Sequence, residues 1–248
     1  MIIFKPLTER PAAGDKYFNT KAAGGINPCI QGQDASGKCV KGLTVLPNCV
    51  GFAVGRYNQI AGTTDCNLLG STNAENFADL AIKQGLKLTT EPYIGGVMVW
   101  SVGKVGDGSD GAGHVACVER CIMRKEKQLF ITSESGWKHY AFQLKERTGK
   151  NWSQGTRYKY IGCIINEAVK PPIERPNVTI RFGCIGDEVR WLQWFLIANG
   201  YECGEIDGVF GRKTRNAVGL FQKDRGLFVD HCVGKHTKDE LTRGFYYV

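Results

Sequence analysis

From Cys49 onward the apolar positions recur at helical spacing. In CVGFAVGRYNQIAG, residues Val50, Ala53, Val54 and Tyr57 share one face, so the pattern predicts a helix opened by Cys49. A second helix is expected from Asn73 to Gly85. Asn73 stands at the cap position, Glu75 in the first turn, and Phe77, Leu80 and Ala81 make an apolar stripe, although Asn76 stands where a Glu or Gln would complete a capping box. Beyond Pro92 the runs become short and rich in β-formers: GGVMVWSV, HVACVERCIM, LFITSE and YKYIGCII, separated by Gly-, Asp- or Lys-rich turns. Helices followed by an antiparallel sheet predict an α+β domain.

That pattern stops at EAVKPPIERPNV, residues 167–178, which holds three of the eight prolines and has neither helical nor strand periodicity. A linker is expected there, dividing the chain into residues 1–166 and 179–248. Downstream the sequence is duplicated. Val189-x-x-Leu192-Gln193 followed by Asp207-Gly208-Val209-Phe210-Gly211-x-x-Thr214 returns as Val218-x-x-Phe221-Gln222 followed by Asp230-x-x-x-Gly234-x-x-Thr237. Two packed copies of one helix-turn unit would produce such a repeat, with the apolar positions forming a shared core.

Composition adds limits. At 248 residues there is room for two cores, and 42% hydrophobic with 23% charged residues excludes neither globular half. No run of about 18 apolar residues occurs, so no membrane-spanning helix is expected, and the opening MIIFKPLTER is too short in apolar residues for a secretory signal. The expected location is therefore the cytoplasm of the cell that makes the chain. Ten cysteines without a CxxC pair read mostly as buried thiols in a reducing compartment. The net charge of +8 resides almost wholly in residues 1–176 (+7, against +1 for 177–248), with no basic block interleaved with aromatics. This argues against nucleic acid and suits a polyanionic surface such as a Gram-positive wall.

Chemistry can be sought among few residues. A thiol with a pKa of about 8.5 must be ionised to attack, and a helix start or a neighbouring imidazolium favours the anion. Cys49 occupies such a start. Of four histidines, His231 and His236 lie beyond the linker and His139 falls in a turn, whereas His114 heads a strand directly after the Gly-rich loop 106–113. His114 is the preferred base. A third group should orient the imidazole. Glu134, ending the next strand, is favoured over Glu119, which lies five residues beyond His114 and so on the opposite face. The loop 106–113 lacks the ligand spacing of a calcium site and is expected to be a flap.

The stretch VRWLQWFLIANGY…IDGVFGRKTRNAVGLFQKDRGLFVD resembles the peptidoglycan-binding domain found at one end of many wall hydrolases, a small three-helix module. In the second repeat His231 replaces the usual turn glycine. His231, His236, Cys184 and Cys203 lack the tight pairing of zinc ligands, so no metal and no other cofactor is expected. Asp207, Gly208 and Phe210 are candidate wall contacts, with packing and turn formation as the plainer role.

Upstream, Asn48-Cys49-x-Gly51-Phe52-Ala53, then Gly95-Gly96-Val97-x-Val99-Trp100, Gly113-His114-Val115-Ala116-x-Val118-Glu119 and Glu134-x-x-Trp137 resemble, in that order, the CHAP family of cysteine- and histidine-dependent amidohydrolases and peptidases. The resemblance implies a papain-like α+β fold with Cys49 as nucleophile, His114 as base and Glu134 as orienting group. Gly136 stands where that family often has Asn. The Cys49 N–H and the Asn48 side chain are candidates for the oxyanion, and Trp137 for the groove wall or a core or rim position. Together the halves imply a phage-type endolysin cutting an amide in the peptide part of peptidoglycan, acting on the wall after release from the host cytoplasm. A bacterial autolysin of the same chemistry and a non-catalytic wall-binding protein are the alternatives.

Overall fold

The computed structural model describes residues 3–11, 15–18, 31–33, 39–44, 48–63, 73–102, 113–125, 127–135 and 142–246, with backbone only for 31–33 and 39–44. A two-stranded pair, β1 (Gln31–Gln33) and β2 (Cys39–Thr44), precedes helix α1 (Cys49–Ala61). A 3-10 turn over Ala74–Asn76 leads into α2 (Phe77–Lys83). Six strands follow: β3 (Leu88–Thr89), β4 (Val97–Val102), β5 (His114–Arg124), β6 (Lys127–Glu134), β7 (Gln143–Arg147) and β8 (Tyr158–Ile164). They form one antiparallel sheet in the order β3-β8-β4-β5-β6-β7. Three helices close the chain: α3 (Asp187–Ala198), α4 (Arg212–Asp224) and α5 (Lys235–Thr242).

Helix α1 forms where the apolar spacing predicted it. Val50, Ala53, Val54 and Tyr57 pack with Phe77, Ala78 and Ala81 of α2 on the sheet face presented by Val97, Val99, Val115 and Cys117. The helix is buried on its other side as well: Phe52 packs against Phe18, Tyr17 and Phe142. Two-sided burial leaves Arg56 in an apolar setting, and Glu119 of β5 answers it with Oε1 2.9 Å from Nε and Oε2 2.7 Å from Nη2. Ser133 and the Leu7 N–H complete that carboxylate's partners. The expected cap at Asn73 differs: its side chain makes no capping bond, and the chain enters α2 through the 3-10 turn.

The sequence duplication becomes two matching networks. Gln193 donates to Asp207 Oδ1 (2.7 Å) and accepts from the Gly208 N–H (2.9 Å); Gln222 donates to Asp230 Oδ1 (2.8 Å) and accepts from the His231 N–H (2.9 Å). Gly208 and His231 both take positive φ, 79° and 58°. The two copies exchange bulk. A Cβ at Gly208 would lie 3.1 Å from Arg190 Cζ, whereas Gly219, at Arg190's place in the second copy, would put a Cβ 2.5 Å from the His231 ring. A side chain on the turn is possible where the helix residue has none.

Residues 167–178 contain no helix or strand and are tied down. The buried Lys238 donates to the carbonyls of Pro176 and Val178 at 2.8 and 3.0 Å. The helical half also touches the sheet half directly. Arg225 donates to the Cys121 carbonyl (2.7 Å), and the Ile94 N–H to the Gly244 carbonyl (2.7 Å). No described helix is long and apolar enough to cross a membrane.

Candidate active site

Two elements bring the thiol and the imidazole together. Asn48 caps α1, its Oδ1 accepting the Gly51 N–H at 3.0 Å, so Cys49 is the first helical residue and its own N–H lies outside the intrahelical ladder. His114 is the first residue of β5, held at the end of the sheet by Gly113. That glycine takes φ +63°, and a Cβ there would stand 2.4 Å from the Trp100 carbonyl, so no other residue fits this turn. Trp100, opposite His114 on β4, is fully buried with its ring centroid 5.9 Å from the imidazole.

His114 Nε2 lies 2.5 Å from Glu134 Oε2, and Cys49 is near enough to the ring to influence its charge. With Nε2 given to the carboxylate, Nδ1 is the nitrogen left for the sulfur. Burial works against the imidazolium, but the neighbouring Cys49 and the bond to Glu134 with its charge outweigh it and push the His114 pKa up to about 9. Burial likewise opposes the Glu134 carboxylate. Its bond to His114 and the charges of His114, Arg147 and Lys145 nevertheless hold its pKa at about 2. At neutral pH the site therefore presents an imidazolium between a sulfur and a carboxylate.

Four of the other thiols are held protonated by burial. Burial raises Cys121 to about 11 and Cys163 and Cys203 to about 12, and lifts Cys117 well above its usual value. Cys49, like Cys184 and Cys232, is only half-buried, and of these three it is the one beside His114. Cys49, Cys117, Cys121, Cys163, Cys184, Cys203 and Cys232 are free thiols.

The remaining candidates fall as follows. Glu119 lies on the opposite face from His114, clasped by Arg56. Trp137, His139 and most of the loop 106–113 lie outside the described residues. Asp207 accepts the Val209 N–H and lines an open groove with Glu202, Glu205, Arg212 and Lys213. Gly208 forms the turn, and Phe210, 1% exposed, packs in the three-helix core. Among the described residues no three His, Cys, Asp or Glu side chains are grouped to hold a metal. Sequence reasoning missed Lys145 and Arg147, both of which meet Glu134. The available signal was QLKER itself, a charged five-residue run after the strand ending in an acid.

Two family models match the chain. Residues 40–136 match the family model of the CHAP domain, and residues 185–241 match the one described as "Putative peptidoglycan binding domain". The chain thus has one segment that matches the CHAP domain, followed by one that matches a domain of the peptidoglycan-binding type. A spore cortex-lytic enzyme of Bacillus cereus is 41% identical over 71 residues, 29% of this chain and 27% of the relative; that of Bacillus subtilis is 48% identical over 66 residues, 26% and 22%. The chain spans about a quarter of the length of these curated relatives. A solved Burkholderia AP3 phage endolysin is 41% identical, covering 27% of this chain and 25% of that one, with a TM-score of 0.26.

Proposed function

We propose that this chain is a cysteine-dependent peptidoglycan hydrolase, an N-acetylmuramoyl-L-alanine amidase or a peptidoglycan endopeptidase, that cleaves an amide in the peptide part of the wall. The observation that carries the reading is the relay Cys49, His114, Glu134 at the start of a helix, with a wall-binding type of domain in the same chain. Cys49 Sγ attacks the amide carbonyl as a thiolate, and the tetrahedral oxyanion meets the Cys49 N–H, with the Asn48 side-chain amide as second donor. The His114 imidazolium gives its proton to the departing nitrogen, leaving a thioester on Cys49. His114, now neutral, takes a proton from water, whose oxygen attacks the thioester; the carboxylic acid product leaves and the pair is restored. Glu134 keeps the imidazole oriented through both steps.

The helical domain holds the enzyme on its insoluble substrate, with the groove at Asp207 as the proposed contact. Gram-positive walls are the proposed target, in keeping with the basic charge of the N-terminal half. Purified protein should clear suspensions of Gram-positive cells, and Cys49→Ser or His114→Ala should each abolish clearing while the protein still sediments with walls. Clearing that survives Cys49→Ser would refute the mechanism and leave wall binding as the chain's contribution. We take phage lysis, with the enzyme held in the host cytoplasm until release, as the biological setting. A holin gene beside the coding sequence would support it, and a neighbourhood of cell-wall or sporulation genes would replace it with a bacterial enzyme of the same chemistry.

A further inference from the structure

Three consecutive residues other than glycine take left-handed backbone: Asn151 (φ 54°), Trp152 (φ 48°) and Ser153 (φ 57°). Such conformations persist only where the surroundings over-determine them. Here the Trp100 indole donates to the Asn151 carbonyl (2.9 Å), Asn151 Nδ2 donates to the Tyr158 carbonyl (2.7 Å), and Ser153 Oγ donates to the Thr148 carbonyl (2.8 Å). The segment is thereby pinned beside Arg147, whose side chain is 1% exposed. Every part of that guanidinium is occupied. Nε donates to Thr132 Oγ1 (3.0 Å), Nη1 reaches the Trp152 carbonyl (3.4 Å) and Gln154 Oε1, and Nη2 donates to Glu134 Oε2 (2.5 Å). Its plane lies over the Trp100 ring, 4.8 Å from the centroid.

We propose that Arg147 is a positioning residue for the reaction, a rigid fork seated by Thr132, Gln154 and the left-handed segment that fixes the Glu134 oxygen on which His114 hangs. The inference rests on the reading of Cys49 and His114 as the working pair. Lys145 supplies a second cation to Glu134, at Oε1, but from a side chain 43% exposed and free to be screened. Charge alone would make the two cations equivalent; position would not. Around the imidazole itself stand Cys49 from α1, Glu134 from β6 and Tyr158 from β8, with Trp100 beneath it. Arg147 therefore acts on His114 through Glu134.

The test compares Arg147→Met, Arg147→Lys, Lys145→Met, Thr132→Val and Gln154→Ala in the full chain. It reads wall clearing, sedimentation with purified walls, and the pH dependence of clearing, with Cys49→Ser alongside. Arg147→Met should lose at least tenfold in clearing rate with wall binding unchanged, Arg147→Lys should recover part of that loss, and Lys145→Met should stay within about twofold. Thr132→Val and Gln154→Ala retain every charge; each should lose a few-fold and move the alkaline limb of clearing to lower pH, because a loosened Glu134 holds the imidazole's proton less well. If Arg147→Met fails to fold, these two decide. Folded Arg147→Met, or both Thr132→Val and Gln154→Ala, with the activity and pH profile of the parent would overturn the proposal. A loss in Lys145→Met equal to that in Arg147→Met would overturn it too, since charge would then suffice. Full clearing by Cys49→Ser would instead sink the reading of the site on which it rests.

Discussion

His114 Nε2 and Glu134 Oε2 are 2.5 Å apart although 20 residues separate them, because β5 and β6 run antiparallel with Cys117 opposite Ser133. That register puts the first residue of one strand diagonally across from the last of the next, on one sheet face. The contact sets a pH window. His114 is raised to about 9, so its favourable contribution to folding is complete below about 6.5 and is lost as pH rises through about 9; Glu134 is lowered to about 2, so its contribution is present above about 4.5 and is lost as pH falls through about 2. The difference in melting temperature between the parent and His114→Ala should be largest near pH 5 to 6 and shrink towards pH 10. A difference that grows with pH would contradict the assigned direction.

Wall clearing should follow the same proton. An imidazolium is needed to protonate the leaving nitrogen, so clearing should fall above about pH 9, with no acid limb from Glu134 down to pH values where walls can still be assayed. An alkaline limb near pH 6.5 would indicate an imidazole that feels neither partner.

Thiol labelling separates Cys49 from its neighbours. Burial holds the Cys117, Cys121, Cys163 and Cys203 thiols protonated, so iodoacetamide at pH 7 should modify Cys49 ahead of those four, and Cys49→Ser should remove that phase. His114→Ala should slow it, since an imidazolium partner favours a thiolate. A fast phase that maps by peptide mass to Cys184 or Cys232 would contradict the assignment.

The Arg56–Glu119 pair should matter for stability and not for chemistry. Glu119→Ala leaves a guanidinium in the core with its main partner gone, and loss of one member of a buried pair costs about 3 to 5 kcal/mol. Urea unfolding should show that loss, while the clearing rate per folded molecule stays at the parental value.

In the helical half the exchange of bulk between repeats predicts coupling. Gly219→Ala should gain about 1 kcal/mol of helix stability in a His231→Gly background. In the parent that gain should vanish or reverse, because the new methyl would stand 2.5 Å from the imidazole. Additive effects in a double-mutant cycle would mean that the ring swings away at no cost.

What could be read from the sequence depended on which force shapes each element. Helix α1 and strands β4, β5, β6 and β8 are built on apolar periodicity, and the repeat around Gln193 and Gln222 conserves its polar partners as well as its core, so both were legible. Strand β7 was not. It is an edge strand whose inward-facing Lys145 and Arg147 meet Glu134, so it carries charges where the pattern calls for apolar residues. Phe52 was assigned no partner because the segment that covers it, with Tyr17 and Phe18, has no periodicity of its own. Within the site, Cys49, His114 and Glu134 announced themselves by position in motifs, whereas Arg147 acts through a register that only the folded sheet creates.

The central claim is that Cys49 opens an amide in the peptide part of the wall. Its most direct test is mass spectrometry of the fragments released from purified Gram-positive peptidoglycan by the parent protein and by Cys49→Ala. The account expects new amino and carboxyl ends within the peptide portion, or free stem peptide with intact glycan, and no release by Cys49→Ala. Fragments carrying only new reducing sugar ends, or equal release by Cys49→Ala, would contradict it.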